Sequence, residues 1–167
     1  GDVYHDYWIP SMSSLEVFET NNIPHSNFLG LNHLRSSSDK LKIGIRWSGN
    51  PDFEHEQNRR FNPSFMINAV SEYQKKHQDI EMYSFQRDEN LITLPSNIID
   101  LDEKLLTWMD TAKYLSEMDL VISSCTSVAH LSATLQIPTW IMVPRLPYYI
   151  WADTTHASYE SNLSLPT

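Results

Sequence analysis

Residues 119–142, Asp119-Leu-Val-Ile-Ser-Ser-Cys-Thr-Ser-Val-Ala-His-Leu-Ser-Ala-Thr-Leu-Gln-Ile-Pro-Thr-Trp-Ile-Met142, leave this chain few ways to fold. Leu120, Val121 and Ile122 form a short apolar run of the kind found in a parallel sheet covered on both faces. Ser123, Ser124, Cys125, Thr126 and Ser127 then crowd small side chains into a tight turn, and a helix is predicted from near Thr126. A second strand is predicted after Pro138. Unpaired N–H donors and the macrodipole at such a helix start suit an anion. Ser and Thr there also serve as plain caps, and caps occur on most helices whereas anion sites occur on few. Taken alone, these residues favour capping.

The same alternation runs through the middle of the chain. Residues 41–47 are predicted as a strand, broken by the turn Ser48-Gly49-Asn50-Pro51. A polar loop over residues 52–60 leads to Asn62-Pro63, an N-cap and first helical position. The following helix is expected over residues 64–77, with Phe65, Ala69, Val70 and Tyr73 at helical spacing. Residues 82–85 and 98–101 are further strands. Thr107-Trp-Met-Asp110 has the form of a capping box, with Trp108, Ala112 and Leu115 marking the buried face of the next helix. Strands alternating with helices predict a doubly wound, Rossmann-like α/β domain, a parallel sheet with helices on both faces. Ahead of it, residues 4–18 suggest a strand, a loop and a short helix, since Pro10 disfavours one helix running through. Residues 21–40 have the polar composition of a surface linker.

Composition narrows the partners. The net charge of −9 argues against general affinity for nucleic acid or an anionic membrane, although a local group of arginines can still hold a phosphate. No apolar run approaches the ~20 residues that span a bilayer, so no membrane span is expected and peripheral contact is left open. A single cysteine excludes an internal disulfide and fits a reducing, cytoplasmic setting. No signal peptide is visible, but a chain starting at Gly1 has the look of a trimmed one. Seven histidines lack ligand spacing, and Glu54-His55-Glu56 has no second histidine one helical turn away, so neither metal nor cofactor is expected.

Sheets of this class bind ligands outside the carboxyl ends of their strands. Trp47, Ser48, Gly49, Asn50 and later Arg60 follow the first strand, and Gln86 and Arg87 the second. Asp110 and Thr111, then Thr126, Ser127 and His130, complete a donor-rich rim suited to a sugar and a diphosphate. Polar residues also gather at strand ends in any such fold, because loops lie there.

Several segments together resemble a family. Lys42-Ile-Gly-Ile-Arg-Trp-Ser-Gly-Asn-Pro51 resembles the opening of the C-terminal half of glycosyltransferases related to the heptosyltransferases, in a bacterial branch often fused to tetratricopeptide repeats. Asn58-Arg-Arg-Phe-Asn-Pro63, Tyr83-Ser-Phe-Gln86, Ile99-Asp-Leu101 with Trp108-Met-Asp-Thr-Ala112, and Asp119-Leu-Val-Ile-Ser-Ser-Cys-Thr-Ser-Val-Ala-His-Leu131 are similar to its later motifs, in order. The resemblance implies one half of a GT-B fold: residues 41–167 as the nucleotide-sugar-binding domain, residues 1–40 as a remnant of the preceding domain plus linker. It also implies metal-independent, inverting transfer from a nucleotide diphosphate sugar to a cell-surface glycan or protein. The N-terminal acceptor domain, with its base, would be missing, so the piece alone is expected to be inactive.

By the same resemblance, Arg60 and His130 are the catalytic candidates. Trp47, Ser48, Gly49, Asn50, Gln86, Asp110, Thr111, Cys125, Thr126 and Ser127 are the substrate-binding candidates, with Trp151 beside Trp47 flanking the cleft. Plainer readings stand beside these: Asp110 as a helix cap, Trp47 as core, and Arg59 and Arg60 as a solvated pair near Glu54 and Glu56. Two departures matter. Cys125 stands where the family has Asp, and Gln136 where it has Gly. The first argues for one alternative, a non-catalytic nucleotide or nucleotide-sugar binding module, and a GT-B-like sugar-nucleotide epimerase or hydrolase stands as the other.

Overall fold

A computed structural model describes residues 40–53, 56–87 and 92–143. Five strands form one sheet: β1 (Leu41–Arg46), β2 (Ile80–Ser84), β3 (Ile98–Asp100), β4 (Leu120–Ser124) and β5 (Thr139–Met142). Helices α1 (Glu56–Arg59) and α2 (Ser64–Gln74) lie between β1 and β2, α3 (Trp108–Ser116) precedes β4, and α4 (Ser127–Thr134) follows it. The strand order is β3-β2-β1-β4-β5 and every pair is parallel. The fold is therefore the predicted Rossmann-like α/β sheet.

Register divides the core between two faces. Gly44 lies beside Tyr83 and Val121, whereas Ile45 lies beside Ser84 and Ile122, so neighbouring residues of each strand serve opposite layers. On one face Ile45, Met82 and Ile98 pack with Ile67 of α2 and with Trp47. On the other, Phe85 and Val121 pack with Ala112 and Leu115 of α3 and Val128 of α4. Asp119 ties the entry of β4 to that of β1: its carboxylate accepts from Lys42 N at 2.9 Å, and its own N–H donates to Lys42 O at 2.9 Å.

Three expectations need correction. Helix α2 ends at Gln74, and it turns Met66, Ile67 and Val70 toward the sheet. Phe65 is 82% exposed, and Ala69 and Tyr73 share its outward side. Trp108 is 60% exposed at the first position of α3, a turn before Ala112 and Leu115, which do reach the core. Residues 52–60 also contain the one-turn helix α1. The opening segment, the linker, Glu54, His55 and Trp151 lie outside the described residues.

Gly44 is a close-approach position. A Cβ built there would stand 2.7 Å from Phe85 Cε2 and 3.4 Å from Met118 Cγ, inside the packed layer under α3. Gly44→Ala is therefore expected to lower unfolding free energy by about 1–3 kcal/mol through overpacking, as read by chemical denaturation. A variant as stable as the parent would show that the Phe85 ring moves aside at no cost.

Candidate functional site

In the order β3-β2-β1-β4-β5 the chain leaves β1 toward one side of the sheet and β4 toward the other. That reversal opens a crevice outside the carboxyl ends of β1 and β4, where doubly wound sheets bind ligands. A cavity of about 620 Å³ occupies it, lined by Gly49 and Asn50 after β1, Thr126 and Ser127 after β4, and Thr111 of α3. Phe53, Leu106 and Trp108, all exposed, border it with apolar surface.

Three arginines, Arg46, Arg59 and Arg87, line the cavity, and no Asp or Glu does so among the described residues. Each is anchored to a backbone carbonyl of a strand-end loop. Arg46 Nη1 donates to Phe85 O at 2.8 Å. Arg59 Nη2 donates to Cys125 O, and Arg87 Nη1 to Leu105 O. The Arg59 guanidinium also lies over the Phe53 ring, 4.4 Å from its centroid. In a chain of net charge −9, three of the described lining residues are arginines.

Two helix starts face the cavity and are built differently. At α3, Thr107 and Asp110 form the predicted capping box: Asp110 N donates to Thr107 Oγ1 at 3.2 Å, and Thr107 N donates to Asp110 Oδ2 at 2.9 Å. Thr107 Oγ1 donates to the same carboxylate at 2.7 Å. Asp110 is thus a cap and does not line the cavity. At α4, Thr126 occupies the cap position in an extended conformation but makes no capping bond. Its hydroxyl pairs instead with Ser123 Oγ at 3.1 Å. The plain-cap reading of this turn is therefore replaced: the first amides of α4 have no side-chain cap, and Thr126, Ser127 and Val128 line the cavity.

The other candidates divide. Ser48 and Gln86 are fully buried and bonded to each other, Ser48 N to Gln86 Oε1 at 3.2 Å and Gln86 Nε2 to Ser48 Oγ at 2.8 Å. They lock the loops after β1 and β2 together and do not line the cavity. Trp47 belongs to the core under α2. Gly49 N donates to Glu56 Oε1 at 2.7 Å, and a Cβ at Gly49 would stand 3.2 Å from Thr126 Cγ2, so its lack of side chain lets the two loops meet. Asn50 Oδ1 accepts from Asp52 N at 2.9 Å. Thr111 Oγ1 donates to Thr107 O at 3.2 Å. Cys125 is buried, and its carbonyl accepts from Arg59. Arg60 and His130 are exposed and stand outside the lining.

Sequence reasoning missed Arg46, Arg59, Phe53 and the exposure of Trp108. No signal singles out Arg46, whose place as last residue of β1 follows only from the strand's end. The sequence did not separate Arg59, which lines the cavity, from Arg60, because Arg59 ends α1 and Arg60 follows it, and one turn is too short to show periodicity. No protein-family model matches this chain, and neither a curated protein nor a solved structure does.

The hydroxyl of Thr107, and secondarily its N–H, hold the Asp110 carboxyl below its ordinary range against the opposing effect of desolvation. A depressed folded-state value gives stabilisation that is present above the ordinary carboxyl range and is lost as pH falls through the folded value. Thr107→Val is expected to raise the Asp110 value, as read by NMR titration of the carboxyl carbon. An unchanged titration would remove the side-chain bond as the cause.

Proposed function

We propose that this chain holds a nucleotide diphosphate sugar by its diphosphate, as the donor-binding domain of a bacterial glycosyltransferase acting on a cell-surface glycan or protein. The observation that carries this reading is the convergence of Arg46, Arg59 and Arg87 with the uncapped start of α4 in one cavity at the reversal of strand order. A guanidinium fork matches phosphate oxygens in geometry and charge, and helix amides supply further fixed donors. The cavity's size lies within the range of small-molecule sites, which runs from about 300 to 1,000 Å³. Trp108 and Phe53 offer flat apolar surface at its mouth for a base or sugar ring.

Such a site has a chemical use. In inverting transfer the acceptor oxygen bonds to the anomeric carbon as the bond from that carbon to the diphosphate oxygen breaks. The electron pair leaves with the nucleoside diphosphate, so negative charge grows on its phosphates. Fixed cations and N–H donors aimed at those oxygens stabilise that change. The proton leaving the acceptor needs a base, and no carboxylate lines the cavity among the described residues. The proposed role is therefore to hold the donor and stabilise its leaving group, with the base supplied from the acceptor side.

Isothermal titration with UDP, GDP, ADP and their sugars tests this directly. At least one diphosphate is expected to bind more tightly than its free nucleoside, and more weakly as salt is raised. Arg59→Ala is expected to weaken diphosphate binding about 10- to 100-fold while changing nucleoside binding little. Absence of heat with every nucleotide would end the proposal, and equal losses for nucleotide and nucleoside would take Arg59 out of the phosphate role.

A further inference from the structure

Glu56 is a buried carboxylate beside a cationic cavity, and nothing in the proposed chemistry uses it. It is only 4% exposed. Its Oε1 accepts from Gly49 N at 2.7 Å, while its buried Oε2 has no hydrogen-bond partner. Arg59 Nη1 stands 3.7 Å from that second oxygen, one turn along α1. The far end of the same guanidinium donates to the carbonyl of Cys125, immediately before the cap residue of α4. The space left open by Gly49 lies 3.4 Å from Glu56 Oε2 and 3.2 Å from Thr126 Cγ2, so all three loops meet around this one carboxylate.

We propose that Glu56 is a positioning residue that holds the Gly49 loop and orients Arg59, so that the guanidinium and the first amides of α4 face one phosphoryl group together. The inference rests on the anion-binding reading above. It carries a distinctive sign. A carboxylate near an anion repels it, so a mere neighbour would weaken binding and its neutralisation would strengthen binding. A carboxylate that acts by orienting a cation does the reverse: neutralising it releases the guanidinium and weakens binding, although the site becomes more positive.

The probe is inorganic pyrophosphate, titrated calorimetrically into the protein and its variants, with circular dichroism melts to confirm folding. Glu56→Gln keeps the shape and an acceptor for Gly49 N but removes the charge that faces Arg59. It is expected to weaken pyrophosphate binding about tenfold, the scale of losing most of one charge-assisted contact from the released guanidinium. In the Arg59→Ala background the same change is expected to add less than about twofold, because the group it orients is already gone. Unchanged or tighter binding by Glu56→Gln overturns the proposal, and so do additive losses in the double variant. If Glu56→Gln does not fold, Glu56→Asp decides: it retains charge at shorter reach, weaker binding supports the proposal and parental affinity overturns it. Pyrophosphate that fails to bind the parent protein, yet leaves it folded, overturns the anion-site reading itself, and this inference falls with it.

Discussion

The backbone ladder between β1 and β4, with Ile43 beside Leu120 and Arg46 beside Ser123, sets where both chains leave the sheet. Because the strands are parallel and end together, the loop 48–50 and the elbow 124–127 emerge side by side. Gly49 then allows contact that a Cβ would obstruct, 3.2 Å from Thr126 and 3.4 Å from Glu56. The reciprocal Asp119 and Lys42 bonds hold the opposite end of the pair in register. A slip of one residue would exchange the two faces of β4, sending Val121 away from α3 and α4. The crevice is thus a consequence of pairing and register before any side chain reaches into it.

Around that crevice the arginines are fixed in a common way. Arg46, Arg59 and Arg87 each give one N–H to a carbonyl at the end or beyond the end of a strand. A planar guanidinium held at one edge by backbone loses less freedom on meeting a ligand than a side chain sweeping through solvent. The same bonds satisfy carbonyls that the strands no longer pair. The same groups thus serve the fold and, under the proposed function, the ligand, and among the described residues no carboxylate lines this cavity.

Much of this was legible beforehand, and the exceptions have physical causes. The strands were visible because apolar runs such as Leu120–Ile122 admit little else, and the box at Thr107 because two local groups satisfy each other. The outward direction of Phe65 was not visible: α2 carries apolar residues on more than one side, and only the sheet decides which are covered. Gln86 and Ser48 looked like ligand contacts because polar residues after strands usually meet solvent. Here each satisfies the other inside the protein, which no one-dimensional pattern records. The choice between Arg59 and Arg60 turned on the phase of one helical turn, and four residues are too few to declare a phase.

Cys125, where the resemblance drawn from the sequence would put an acid, takes on a different weight in this geometry. The site uses the carbonyl of that residue, as the anchor for Arg59, and a carbonyl is present whatever side chain accompanies it. The thiol is buried, so the position admits a small group without bringing charge to the elbow. An aspartate there would add a second carboxylate to an elbow whose carbonyl already anchors the guanidinium that Glu56 engages at 3.7 Å. Two carboxylates competing for one arginine would draw its charge away from an incoming phosphate. On these grounds the cysteine is compatible with holding a diphosphate. Cys125 is not among the residues that line the cavity, so under the proposed function its side chain bears less on the grip of the phosphates than its carbonyl does.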